Sequence, residues 1–254
     1  MELFNLSGKV AIVTGGNGGI GLGMACGLAK AGADIAIIGR NSEKNKSALQ
    51  TISKLGRRCI SITADVTDGN AVADMTSQVA AELGSISILI NNAGTNVRKR
   101  PEELSEDDWH LVMDTNLTSA FLCAKACYPH MKKSGGGKVL NNGSMLSLFG
   151  SPWGSVYGSS KGGIMQLTRS LATAWAHDNI QVNCFLPGWI DTELTRTARV
   201  QIPELNDKVL DRTPAGRWGT IEDMAGVAVF LASPASDFIT GTALPVDGGF
   251  SIAI

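Results

Sequence analysis

Lys9-Val10-Ala11-Ile12-Val13-Thr14-Gly15-Gly16-Asn17-Gly18-Gly19-Ile20-Gly21 passes from a short apolar run into a cluster of glycines, and from there into a helical pattern. The run is apolar at successive rather than alternate positions, which fits a strand covered on both faces. Similar runs recur at 34–38, 59–63, 87–91, 138–141, 180–184 and 243–246. Segments of helical length separate them, at 19–31, 42–55, 69–83, 103–132, 155–177 and 221–231. Strands alternating with helices predict right-handed βαβ units and therefore an α/β fold: one doubly wound parallel sheet of about seven strands with helices on both faces. Gly32 and Gly56 punctuate apparent helix ends, Ser105 precedes three acids as an N-cap would, and 134–138 reads as a turn rather than a phosphate loop.

Composition sets the outer limits. The chain has 254 residues, 44% of them hydrophobic and 18% charged, enough for a large core and too few charges for a disordered chain. With no repeat or linker, residues 1–254 read as a single domain, with a mobile substrate lid expected at about 193–217, where periodicity is weak. Lys and Arg number 22 against 23 Asp and Glu, so the net charge of −1 offers no footprint for nucleic acid or an anionic membrane. No apolar run reaches the roughly 18 residues of a membrane helix, and the start lacks the pattern of a signal peptide, so a cytoplasmic location is expected. The five cysteines are odd in number and scattered, with Cys123 and Cys127 placed as buried filler on one helix face, and the three histidines stand alone, so no metal site is expected.

The glycine turn opens a helix directly after the first strand, where unpaired N–H groups and the helix dipole favour an anion such as a dinucleotide pyrophosphate. Such a sheet is then Rossmann-type. The second strand ends in Gly39-Arg40-Asn41, with no carboxylate to repel a 2′-phosphate and an arginine to pair with one, so NADP(H) is favoured and NAD(H) stays open. Asn17 leaves the glycine turn itself without a second basic group. Tyr157 and Lys161, four apart, project from one helix face, and an ammonium beside a phenol brings its pKa towards the working range. Chance alone gives that spacing in about one such chain in ten. Three polar sites at predicted strand ends keep it company: Ser144, the Asn91-Asn92-Ala93-Gly94 turn, and Pro187-Gly188-Trp189-Ile190-Asp191-Thr192.

Taken in order, these motifs resemble the short-chain dehydrogenase/reductase family from Leu6 to Gly249. The resemblance implies that Asn116, Ser144, Tyr157 and Lys161 are catalytic: Ser144 holds the substrate oxygen, Tyr157 exchanges its proton, Lys161 lowers the tyrosine pKa and holds the nicotinamide ribose, and Asn116 fixes a water behind Lys161. It further implies cofactor contacts from Gly15, Asn17, Gly19, Ile20, Gly21, Arg40, Asn41, Asp65, Val66, Asn92, Ala93, Gly94, Pro187, Gly188, Ile190 and Thr192. A small carbonyl or alcohol substrate, hydride transfer on the pro-S face and a homotetramer built through 103–132 and 155–177 follow from the same resemblance. The apolar end 250–254 is expected at such an interface.

Substrate choice should lie in the loops after the fourth, fifth and sixth strands. Arg98-Lys99-Arg100 could present cations to an acid, whereas Met145, Leu146, Phe149, Trp153 and Trp189 could line an apolar pocket for a bulkier ketone or a 3-oxoacyl substrate. The Arg98-Lys99 pair, 212–219 and the ending 246–249 are similar to sugar-acid reductases such as the gluconate 5-dehydrogenases, and 3-oxoacyl-carrier-protein reductases share much of this; the tryptophan-rich loop 151–154 departs from the pattern. A cofactor sensor or a non-catalytic partner subunit would have no use for an intact set of Asn116, Ser144, Tyr157 and Lys161.

Overall fold

Both faces of the first strand are covered, as its unbroken apolar run requires. Along β1 (Val10–Thr14), Ala11 and Val13 enter one apolar layer while Val10 and Ile12 enter another. The same division holds in β2 (Asp34–Gly39), with Ile35 and Ile37 on one side and Ala36 and Ile38 on the other. The computed structural model describes residues 2–253. It completes the sheet with β3 (Cys59–Thr63), β4 (Ile86–Asn91), β5 (Gly137–Asn142), β6 (Ile180–Pro187) and β7 (Ala243–Val246). All seven strands pair in parallel, in the order β3-β2-β1-β4-β5-β6-β7. The expected doubly wound Rossmann-type sheet is thus present.

Helices α1 (Gly19–Lys30) and α9 (Asp223–Ala232) cover one face through Met24, Leu28, Met224 and Leu231. Among the helices on the other face, α3 (Gly69–Glu82), α5 (Ser119–Lys133) and α6 (Ser155–Trp175) contribute Val72, Met75, Cys123, Cys127 and Leu171. Cys123 and Cys127 are the buried filler their spacing suggested. The short α2 (Ser42–Ser53) is capped by Asn41, whose side chain accepts from the Lys44 N–H at 2.9 Å. Ser105 likewise caps α4 (Glu106–Met113) in a reciprocal box with Asp108.

Two expectations need correction. The segment 103–132 is not one helix: a single π-helical turn, Asp114–Thr118, joins α4 to α5. That turn adds one residue to the winding and tucks Thr115 and Asn116 into the interior. The segment after Thr192 is not irregular either. It forms α7 (Glu193–Gln201) and α8 (Leu205–Arg212), which share a small core of Ala198, Leu205, Val209 and Trp218 with Trp189 and Ile202 packed against it. At the end of the chain Phe250 packs against the Arg212 guanidinium, while Ile252 is exposed on this single chain. Ile254, part of the same expected interface, lies outside the described residues.

Candidate active site

Strand order reverses between β1 and β4, so the connections leave those two strands in opposite directions and open a crevice at their carboxyl ends. The crevice floor is tied together by polar side chains. The buried Thr14 hydroxyl donates to the Ile90 carbonyl at 3.3 Å and accepts from the N–H groups of Asn92 and Ala93 at 3.0 Å each. The Asn92 amide donates to the carbonyls of Thr14 (3.1 Å) and Gly15 (3.2 Å), and its oxygen accepts from the Asn142 amide at 2.9 Å. The ends of β1, β4 and β5 are thereby held in one register.

The glycine turn leaves room for an anion. Gly15 has φ +61°, and a Cβ there would press on the Asn92 amide at 3.0 Å. One at Gly21 would collide with the Gly15 carbonyl oxygen, so both positions require glycine. Helix α1 starts at Gly19 after an N-cap, Gly18, that offers no side chain, which leaves its first N–H groups open to a pyrophosphate. The residues present fit a dinucleotide.

At the end of β2 a cavity of about 240 Å³ is lined by Gly15, Asn17, Arg40 and Asn41, with Asp65, Val66, Ala93 and Gly94 opposite. No acid could replace Gly39: a Cβ there would run into the Asn17 amide and come within 2.8 Å of Asn45 Oδ1. Asn45 is buried, donates to the Gly39 carbonyl at 2.9 Å and accepts from the Asn17 amide at 2.7 Å. Asn17 is therefore fixed by a neighbour 28 residues away. Arg40 is exposed, with the Asp65 carboxylate 3.9 Å off. The Thr67 N–H, and more weakly the Thr67 hydroxyl and the Arg40 charge, hold the Asp65 carboxyl below its usual range against the cost of its burial. Lys44 belongs to none of the motifs in the sequence. It lines this cavity from the first turn of α2 and bridges to Glu193 of α7 at 2.6 Å. Its position two residues after a helix start beside Arg40 was the available signal.

Tyr157 and Lys161 lie one turn apart on α6. Lys161 is buried and donates to the Asn142 carbonyl at 2.6 Å, with its ammonium 5.6 Å from the Tyr157 ring centre. Burial lowers its pKa from 10.5 to about 8. The pKa of the half-buried Tyr157 hydroxyl is raised: loss of solvent pushes it up, and the Ser144 hydroxyl and the Arg98 guanidinium offset only part of that. The net displacement is upward, so the lowering expected from Lys161 is not found here. Ser144 caps a short 3₁₀ turn, Met145–Ser147, by accepting from the Leu146 N–H at 3.2 Å. The next hydroxyl along, Ser147, donates to the Lys161 carbonyl at 2.8 Å and anchors that turn to α6. Asn116 sits behind this group. Its oxygen accepts from the Thr95 N–H at 2.8 Å, and its amide donates to the Thr95 carbonyl and the Ser160 hydroxyl at 3.0 Å each.

Two further cavities meet at Ser144 and Tyr157, which line both. The first, about 340 Å³, is walled by Gly19, Ile20, Asn92 and Lys161 and, across from them, by Pro187, Gly188, Ile190 and Thr192. The second, about 370 Å³, is lined by Arg98, Met145, Leu146, Trp153 and Trp189. The residues expected near a cofactor or substrate therefore fall on one of three adjoining cavities, except Gly21 and Asn116, which lie just beneath their walls, and Lys99 and Arg100. The basic run divides: Lys99 is bonded to Asp108 (2.6 Å) and Arg100 to Glu102 (2.8 Å), and Arg98 alone of the three faces the second cavity. Asn96, Leu194, Arg212 and Phe250 also line it: Asn96 lies in the loop after β4 and Leu194 and Arg212 in the expected lid, though no motif singles them out, and Phe250 reaches the cavity only through the tertiary fold.

Comparison with known proteins agrees with this architecture. The adh_short_C2 family model, described as enoyl-(acyl carrier protein) reductase, matches residues 15–251. A 2-dehydro-3-deoxy-D-gluconate 5-dehydrogenase of Dickeya dadantii is 43% identical over 251 residues, covering 98% of each chain. A gluconate 5-dehydrogenase of Gluconobacter oxydans is 41% identical over 253 residues, 100% of this chain and 98% of its own. The crystal structure of a gluconate 5-dehydrogenase from Burkholderia cenocepacia, in complex with NADP and tartrate, superposes with a TM-score of 0.95 at 40% identity over 100% of this chain and 99% of that one. This chain is an oxidoreductase belonging to the short-chain dehydrogenase/reductase family.

Proposed function

We propose that the chain interconverts a keto-sugar acid and its secondary alcohol, using NADP(H) in preference to NAD(H). The observation that carries this reading is the meeting of the two cavities at Ser144 and Tyr157, with a guanidinium, Arg98, on the substrate side. The sugar-acid names of its relatives and the tartrate and NADP of the Burkholderia cenocepacia structure support it. So does Asn96, which adds an amide side chain to the wall of the substrate cavity.

In this reading the open N–H groups of the glycine turn hold the pyrophosphate, Arg40 with Lys44 takes the 2′-phosphate, Asp65 and Val66 flank the adenine, and Thr192 and Lys161 hold the nicotinamide riboside. The cofactor supplies the hydride. Ser144 donates to the carbonyl oxygen of the substrate and Tyr157 delivers the proton to it. Lys161, charged below about pH 8, keeps positive potential beside that phenol while Asn116 fixes the turn behind it. Helices α7 and α8 cover the substrate cavity, with Lys44 and Glu193 as a clasp across the crevice. The side chains of Trp109, Leu111 and Phe121, exposed on α4 and α5, support a homotetramer, which sedimentation would check.

The test follows nicotinamide absorbance with NADPH and NADH in parallel across keto-sugar acids, cyclic ketones and aryl ketones. NADPH oxidation by keto-sugar acids is expected. Turnover confined to bulky ketones would move the assignment to the tryptophan side of the cavity, and cofactor binding without any turnover would favour a sensor.

A further inference from the structure

Of the ten arginines, three have no carboxylate partner among the described residues: Arg98, Arg169 and Arg212. Arg169 is exposed on α6, remote from the cavities, whereas Arg98 and Arg212 line the same one as Ser144 and Tyr157. The two occupy different places in it. Arg98 follows β4 and is near enough to Tyr157 to act on its hydroxyl, whereas Arg212 stands between Phe149 and Phe250 at the end of α8. Arg212 ends α8 at the open rim, its guanidinium 4.4 Å from the Phe250 ring centre and 5.1 Å from that of Phe149. Two aromatic walls fix the plane of a guanidinium and leave its edge, the fork that matches a carboxylate, turned outward. An arginine held in this way, at the mouth of a cavity and without an acid of its own, is placed to receive an anion from solution.

We propose that Arg212, caged by Phe149 and Phe250, reads the substrate carboxylate, and that it selects keto acids whose carboxylate lies several carbons from the reacting carbonyl. The proposal rests on the keto-sugar-acid reading and deepens it. A carboxylate next to the carbonyl would fall at Arg98, beside Tyr157. One separated from it by a short polyol chain reaches the rim instead. Arg98 is then left to the hydroxyls nearest the reaction, and Phe250, near the chain's end, becomes part of substrate selection.

The test compares the wild type with Arg212→Gln, Arg212→Lys and Phe250→Leu on 5-keto-D-gluconate, 2-keto-D-gluconate and the neutral 5-keto-D-fructose. The wild type should favour the 5-keto acid over the 2-keto acid. Arg212→Gln should raise KM for 5-keto-D-gluconate about 10- to 30-fold, with kcat within about threefold, and erase its advantage over 5-keto-D-fructose. Arg212→Lys should restore part of that advantage and Phe250→Leu should lose part of it. Calorimetric titration of the NADP⁺ complexes with D-gluconate and with uncharged D-glucitol supplies a readout apart from turnover, in which only gluconate should weaken in Arg212→Gln. Equal losses on acid and neutral compounds would make Arg212 a packing residue and overturn the proposal, as would an unchanged KM or a wild-type preference for the 2-keto acid. If the wild type reduces no keto-sugar acid yet binds gluconate in an Arg212-dependent way, the reductase reading fails and the carboxylate site stands.

Discussion

The two ends of the crevice are built by different means. At the cofactor end, backbone and short buried polar side chains do the positioning: Thr14, Asn92 and Asn142 tie three strand ends together, and Asn45 locks Asn17 against Gly39. At the substrate end, long side chains from four separate segments converge at a half-open rim, where Trp153 and Leu194 are each about half exposed. The first design tolerates little change, because each buried donor left without a partner costs on the order of 1–3 kcal/mol. The second can be rewritten by surface substitutions without touching the sheet. A fold used for many substrates with one cofactor chemistry would be expected to divide in this way.

Tyr157 stands where the two ends meet, so its removal should produce the largest effect. Tyr157→Phe keeps the ring and removes the hydroxyl that the proposed mechanism uses to deliver the proton, leaving the Ser144 hydroxyl in place. A positioned acid contributes about 10²–10⁴-fold, so kcat should fall by about a thousandfold, with NADPH affinity, followed by fluorescence titration, within about threefold of the wild type. Unchanged turnover would remove Tyr157 from the mechanism. A matching loss of cofactor affinity would show that the two ends are not separable.

Within the cofactor end, Arg40 belongs to an exposed rim that it shares with Asn41, Lys44 and Asp65. Arg40→Asp replaces a cation able to pair with a 2′-phosphate by a group that repels one, next to Asp65. The NADPH/NADH ratio of kcat/KM should drop about 10- to 100-fold, from the strength of a charge-assisted hydrogen bond. Because Lys44 lines the same cavity, some NADPH preference should survive. A ratio that does not move would assign the 2′-phosphate to Lys44 alone.

This division also explains what could be read from the chain. Strand runs such as 10–14 and 59–63, and the Tyr157–Lys161 spacing, are legible because period and offset are local properties of a strand or helix. The glycine turn is legible because its backbone demands that residue type. The π turn around Asn116 is not, since its phase shift of about 100° falls between two short helices whose apolar positions are too few to reveal it. Nor is the contact between Arg212 and Phe250, 38 residues apart on α8 and the terminal segment, which only the packed chain creates. Lys99 and Arg98 look alike in sequence; the Asp108 carboxylate, on the next helix, takes one and leaves the other to the cavity.

Lys161 tests whether the rigid end bears a cost for its function, and here the expected effect is smallest. Its ammonium is buried, and folding lowers its pKa from 10.5 to about 8, a difference equivalent to about 3 kcal/mol against the charged form. The unfolded chain therefore binds more protons than the folded one between pH 8 and 10.5, and the wild type gains stability as pH rises through that window. Below pH 8 the penalty is present in full. Lys161→Met removes it while forfeiting the hydrogen bond to the Asn142 carbonyl, about 1–2 kcal/mol, so the cofactor-free variant should unfold a few degrees higher at pH 7. That advantage should shrink towards pH 10, where the wild-type lysine is already neutral in the folded state. A thermal melt in which the variant is less stable at pH 7 would mean that the hydrogen bond outweighs the buried charge, and that the crevice floor holds its lysine without strain.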